Sequence, residues 1–258
     1  MDCQTLRVEP TGLDVLYYRK GQGEPLLFLH SIVGMQGWES ALEHLASTFD
    51  VIAPYAPGWG PSQDWDALDG PLEIALFYRD VLRALDVEIA HVLGISIGAW
   101  MAAELAAIFS ERVQKLVLVN PMGIWLDDAP GEDPFAQHPM QPTAVLFSDP
   151  SMRETLMMAG QDKNEVYVQE MHNLKAAAKF LWPIPDTGVH KRLPRISAPT
   201  LIVTSENDRV VLPAYGPEWQ QAIPGAQLTT LAGAGHLADL EQPEAFARLA
   251  RAFFQNGA

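Results

Sequence analysis

Ser96 stands in Gly94-Ile95-Ser96-Ile97-Gly98, a G-x-S-x-G pattern directly after an apolar run. A serine hydroxyl becomes a useful nucleophile under three conditions. Its oxygen must stand clear on a sharp turn, a base must take its proton, and N–H groups must receive the charge formed on the substrate. Glycines at both ends leave room for such a turn. A helix starting at the serine adds free N–H groups and a favourable dipole. The same pattern also arises by chance in an ordinary strand-to-helix turn, so it needs a base and an acid from elsewhere.

His236, in "GAGH", is the candidate base, and Asp208, in "SENDRVV", the candidate acid. A carboxylate behind the imidazole holds the tautomer whose other nitrogen can take the serine proton. The order Ser, Asp, His along the chain is that of serine nucleophiles carried on α/β sheets. Glu206, two residues before Asp208, is a competing carboxylate. His30 and Ser31 follow an earlier apolar run and are further polar candidates.

The elements that must position these groups are alternating strand and helix patterns. β-like runs are expected at 6–8, 14–20, 25–30, 51–60, 90–95, 115–120, 200–205 and 227–232. Several of them are almost wholly apolar, as strands covered on both faces are. Helical spacing appears at 38–49, 98–109, 213–223 and 243–254. Pro71 opens another helix, with Leu72, Leu76, Val81, Leu82 and Leu85 expected on its apolar side. The alternation implies an α/β fold with a mostly parallel, doubly wound sheet. Ligands bind at the carboxyl ends of such strands. His30, Ser96, Asp208 and His236 all follow strand ends and are expected on one rim.

The stretch from 121 to about 193 is longer than a crossover requires. It is rich in proline (Pro121, Pro130, Pro134, Pro139, Pro142, Pro150) and carries helical patches. The expected organisation is a core of residues 1–120 and 194–258 with an inserted helical cap at 121–193.

Composition narrows the function classes. The 258 residues are 48% hydrophobic and 19% charged, with a net charge of −15. Such a chain is globular, and its charge disfavours nucleic acid and anionic membrane as partners. Cys3 is the single cysteine, so no internal disulfide forms. No apolar leader and no span-length apolar run is present, and a cytoplasmic protein is expected.

The chain resembles the α/β-hydrolase fold family over nearly its whole length, in "LFLHSIVG", "VIAPYAPGWGPS", "LGISIGAW", "LVLVNP", "PTLIVTSENDRVV" and "GAGHLADLEQPEAF". It is also similar to that family's meta-cleavage-product-hydrolase branch. The resemblance implies Ser96 as nucleophile, His236 as base, Asp208 as acid, and an oxyanion hole from the backbone N–H groups of Ile32 and Ile97. It implies that His30 shapes the oxyanion loop and that Glu206 is solvated or a loop support. The chain departs from the family at Ser31, where glycine is usual, and at Tyr55, where aspartate is frequent. Leu237 stands where a tryptophan often follows the histidine in the meta-cleavage group.

The substrate pocket is expected from His30, Ser31, Trp125, Phe147, Trp182 and Leu237, with Phe135 and Phe180 as further cap aromatics. No metal spacing links His138, His172 and His190. No phosphate-cradling glycine motif is present, and no cofactor is expected. The expected activity is hydrolysis of small to medium uncharged esters, with a homodimer compatible. The alternatives are carbon–carbon bond hydrolysis of the meta-cleavage type and a non-catalytic ligand receptor on the same fold.

Overall fold

The computed structural model describes residues 2–138, 141–158, 160–182 and 186–256; Pro139 of the inserted segment lies outside them. Eight strands form one sheet: β1 (Gln4–Val8), β2 (Leu13–Lys20), β3 (Pro25–Leu29), β4 (Asp50–Pro54), β5 (Ala90–Ile95), β6 (Val113–Val119), β7 (Thr200–Ser205) and β8 (Gln227–Leu231). Their order is β1-β2-β4-β3-β5-β6-β7-β8. β2 runs antiparallel to both β1 and β4, and all pairs from β4 to β8 are parallel.

Among the described residues, eight α-helices accompany the sheet: α1 (Ser40–Ala46), α2 (Pro71–Ala84), α3 (Ile97–Ile108), α4 (Met152–Met157), α5 (Lys163–Leu181), α6 (Tyr215–Ala222), α7 (Ala238–Glu241) and α8 (Pro243–Gln255). α1 packs on α8, and α2 packs on α3. Along β7 the side chains alternate between faces. Val203 faces Phe246 and Ala250 of α8, whereas Thr204 lies under Gly216 of α6. Helices therefore cover both faces, and every residue of β5 and β7 is buried, which is why their centres, Val92-Leu93 and Leu201-Ile202-Val203, are apolar.

The buried side of α2 differs from the expectation. Ile74, Phe77, Tyr78, Val81 and Leu82 face the core, while Leu72 is 51% exposed and Leu76 half-buried. Steps of three and four from Ile74 define the stripe, and Leu72 sits on the opposite side of the first turn. α7, directly after His236, is one helical turn that the sequence pattern did not suggest.

The segment between β6 and β7 holds α4 and α5. α5 starts where the Asp162 carboxylate accepts the N–H groups of Asn164 (2.8 Å) and Glu165 (3.2 Å), an N-cap of the usual kind. Its inward face is Val166, Glu170, Asn173, Leu174, Ala177 and Leu181. This segment is fastened to loops at the carboxyl ends of the strands. Lys179 reaches Asp64 (3.0 Å), Phe180 stacks on Trp59, and the Leu237 N–H donates to the Leu146 carbonyl. No helix among the described residues is long and apolar enough to cross a membrane.

Candidate active site

β5 ends at Ile95 and α3 begins at Ile97, so Ser96 alone makes the turn. It does so at φ 62, ψ −125, a region a non-glycine residue rarely adopts. The flanking glycines are sterically required. A Cβ on Gly94 would strike the backbone of Gly98, and a Cβ on Gly98 would strike the carbonyls of Leu29 and His30. Ile97 is the first residue of α3, so its N–H has no acceptor within the helix.

The loops after β7 and β8 bring the remaining groups to Ser96. His236 Nε2 lies 2.7 Å from Ser96 Oγ, and His236 Nδ1 lies 2.7 Å from Asp208 Oδ2. The other Asp208 oxygen accepts the N–H groups of Val210 (2.8 Å) and Val211 (2.9 Å). A carboxylate accepts only, so Nδ1 carries the proton and Nε2 is the acceptor for the serine O–H. Ser96, Asp208 and His236 are at most 3% exposed, so the relay is shielded from bulk water. Glu206 lies apart; its carboxylate accepts the Gly233 N–H (2.8 Å) near the surface.

His30 is 3% exposed, and its ring bridges two backbone groups. Nε2 accepts the Ala56 N–H (3.0 Å), so Nδ1 donates to the Ser31 carbonyl (2.9 Å). Burial pushes its pKa down to about 4, so the ring is neutral and serves as a brace. Ser31 is buried and forms a β-bridge with Gly34. Ile32 lies in the same tight loop, with its carbonyl accepting the Trp59 indole N–H (3.1 Å).

The expected pocket residues are distributed unevenly. Phe147 and Leu237 are fully buried, and the Phe147–Ser148 backbone presses on Gly235, next to His236. Trp125 lines a cavity of about 20 Å³ with Met122, Leu181, Val210 and Tyr215. Trp182 must be removed from the expected pocket. It is 58% exposed and edge-on to Phe135, because it follows the last turn of α5 and faces outward. Among the described residues, no group of three or more His, Cys, Asp or Glu side chains is placed to hold a metal ion.

Two residues that sequence reasoning passed over touch this centre. Met122 Sδ lies 3.5 Å from Ser96 Oγ. Asn120, at the end of β6, has φ 46 and is fully buried. Its amide donates to Ser205 Oγ (2.9 Å) and to the His236 carbonyl (2.9 Å), tying three strand ends together. An asparagine closing an apolar strand was the available signal, because it tolerates the left-handed region better than most residues.

A family model described as the α/β hydrolase fold matches residues 24–243. A 2-hydroxy-6-oxononadienedioate/2-hydroxy-6-oxononatrienedioate hydrolase of Burkholderia vietnamiensis is 31% identical, over 95% of this chain and 92% of its own. A 2-hydroxy-6-oxo-6-phenylhexa-2,4-dienoate hydrolase of Burkholderia cepacia is 29% identical, over 92% of this chain and 90% of its own. Among solved structures, a meta-cleavage product hydrolase of Pseudomonas fluorescens superposes with a TM-score of 0.79 at 21% identity, covering 97% of both chains. The strained serine turn, the sheet order and the match over most of the chain agree: this chain belongs to the α/β-hydrolase fold family.

Proposed function

We propose that this chain is a serine hydrolase of the carbon–carbon type, acting on a dienone related to ring-fission products. One observation carries the reaction class: the hydrogen-bonded line Ser96–His236–Asp208, with both links at 2.7 Å. The bond class is supported by curated relatives named as dienoate hydrolases, which align over nine-tenths of the chain. This reverses the order expected from the sequence, where the ester came first.

In this reading the dienol substrate first becomes a ketone by protonation at carbon. His236 takes the Ser96 proton as Oγ attacks the keto carbon. The oxyanion rests on the N–H groups of Ile32 and Ile97. The carbon–carbon bond then breaks, and its electron pair leaves on the departing fragment as an enolate. His236 returns a proton to that fragment, and water releases the acyl group from Ser96 by the same route. Residues 121–193 act as the cap. Met122, beside Ser96, and Trp125 line a cavity of about 20 Å³, about the space of one water.

Ester hydrolysis is the second reading. Leu237 in place of an aromatic residue favours it.

The test is kcat/KM for a ring-fission dienone against p-nitrophenyl acetate and butyrate, with Ser96→Ala as the blank. A higher value on the dienone supports the carbon–carbon reading. A higher value on either ester replaces it with the ester reading. No turnover together with no labelling by a fluorophosphonate leaves the receptor reading.

A further inference from the structure

The oxyanion loop is held from outside by a side chain of the inserted segment. Asn173, on the inward face of α5, is 1% exposed. Its Nδ2 donates to the Val33 carbonyl. Its Oδ1 accepts the Gly60 N–H (3.0 Å) and the Gln169 side-chain amide (2.9 Å). One buried amide thus joins α5 to the loop after β3 and to the loop after β4.

The loop it grips carries the N–H group of Ile32. A peptide unit is planar and trans, so each N–H points opposite to the carbonyl of the residue before it. Three successive carbonyls here are occupied. Ser31 O accepts His30 Nδ1 (2.9 Å) and the Gly34 N–H (3.0 Å), Ile32 O accepts the Trp59 indole, and Val33 O accepts Asn173. Holding Val33 O orients the Gly34 N–H, which bonds Ser31 O. Holding Ser31 O orients the Ile32 N–H. Gly34 has φ +74, and a Cβ there would stand 3.0 Å from Asn173 Nδ2, so the loop and the amide fit closely.

We propose that Asn173 is a positioning residue for the oxyanion hole, making the aim of the Ile32 N–H depend on the docking of α5. The inference rests on the serine chemistry proposed above but not on which bond is cut. It assigns to the inserted segment a part in transition-state stabilisation besides enclosing substrate. Asn173 does not touch the reacting atoms; it acts through Val33, Gly34 and Ser31.

The experiment compares wild type, Asn173→Leu, Asn173→Asp and Gln169→Met in the full chain. Asn173→Asp keeps an acceptor for Gly60 but loses the donor to Val33. Gln169→Met removes a bond to the same amide without touching the loop. Three quantities are read: kcat and KM on the better substrate class, the rate of fluorophosphonate labelling of Ser96, and the inhibition constant of a trifluoromethyl ketone. Fluorophosphonate labelling joins Oγ to phosphorus as fluoride leaves, and its phosphoryl oxygen needs the same N–H groups.

Both Asn173 variants are expected to lose about 10- to 100-fold in kcat and in labelling rate, the scale of a misaimed oxyanion donor. KM should change less than about threefold, and ketone affinity should fall in step with kcat/KM. Gln169→Met should stay within about twofold of wild type. Asn173→Asp that is folded by circular dichroism and labels at the wild-type rate overturns the proposal and leaves the serine reading standing. Should Asn173→Asp fail to fold, wild-type labelling by folded Asn173→Leu overturns it equally. Loss of folding in both overturns it too, since the amide then serves stability. A wild-type protein that is not labelled at all removes the serine reading and this inference together.

Discussion

A buried histidine stands beside a carboxylate at each edge of the sheet, and the two pairs behave differently. At the carboxyl edge, His236 and Asp208 both have fully buried side chains, and the second ring nitrogen meets Ser96 Oγ. At the amino edge, His91 is equally buried, but its partner Glu24 is 58% exposed and 3.2 Å away. The second nitrogen of His91 has no partner among the described residues, and the ring stacks on Phe254 and meets the edge of Phe49. The residue types are alike. What separates them is a rigid second oxygen behind the ring and a hydroxyl in front of it. At the amino edge solvent screens the carboxylate, and aromatic packing takes the place of chemistry.

The comparison breaks first at the nucleophile. Ser96→Ala should reduce kcat by at least about 10⁴-fold with the fold intact. Near-normal turnover by well-folded Ser96→Ala would mean that the carboxyl edge is no more reactive than the amino edge.

The acid sharpens it next. Asp208→Asn should cost about 10³- to 10⁴-fold, because the amide cannot hold the Nδ1–H tautomer as the carboxylate does. Glu206→Gln and Glu24→Gln should each change kcat/KM less than about twofold. If Glu206→Gln were the more damaging of the three, the acid would have to be moved to Glu206.

The next effect is on stability, not rate. His30 has its pKa lowered to about 4 by burial, so the unfolded chain binds its proton at a higher pH than the folded one. The stability from neutral His30 is full above about pH 6.5 and is lost as pH falls toward 4. Wild-type Tm should therefore fall over that window, and His30→Gln should flatten the fall. His91 is also lowered, by burial first, with Glu24 opposing, so His91→Gln should flatten it less. Equal slopes in both variants would assign the acid sensitivity to other groups.

The smallest effect is at the amino edge itself. His91→Phe removes an unpartnered buried nitrogen from an aromatic cluster and loses only a bond to an exposed carboxylate. Its Tm should stay within a few degrees of wild type, with kcat/KM unchanged. A marked loss of activity would show the two edges to be coupled through β5.

Much of this was legible from the residue string. The runs at 90–95 and 200–205 match β5 and β7 residue for residue, because apolar centres at Val92-Leu93 and Leu201-Ile202-Val203 suit strands buried on both faces. The glycines around Ser96 declared a turn that only missing side chains permit. The inward stripe of α2 was misplaced by part of a turn, since a proline start and several leucines suit more than one side of a helix. Trp182 was drawn toward the pocket by its type alone, and its outward direction depends on where α5 ends. Asn120 and Asn173 are further from reach. Each is an amide whose partners, Ser205 and His236 for one and Val33 and Gly60 for the other, are far away in sequence. Local pattern records which residues prefer a strand, a turn or a buried stripe. Which backbone carbonyl an amide reaches is settled only when the sheet and α5 are packed, because such a bond is short and directional and its partners come from separate elements.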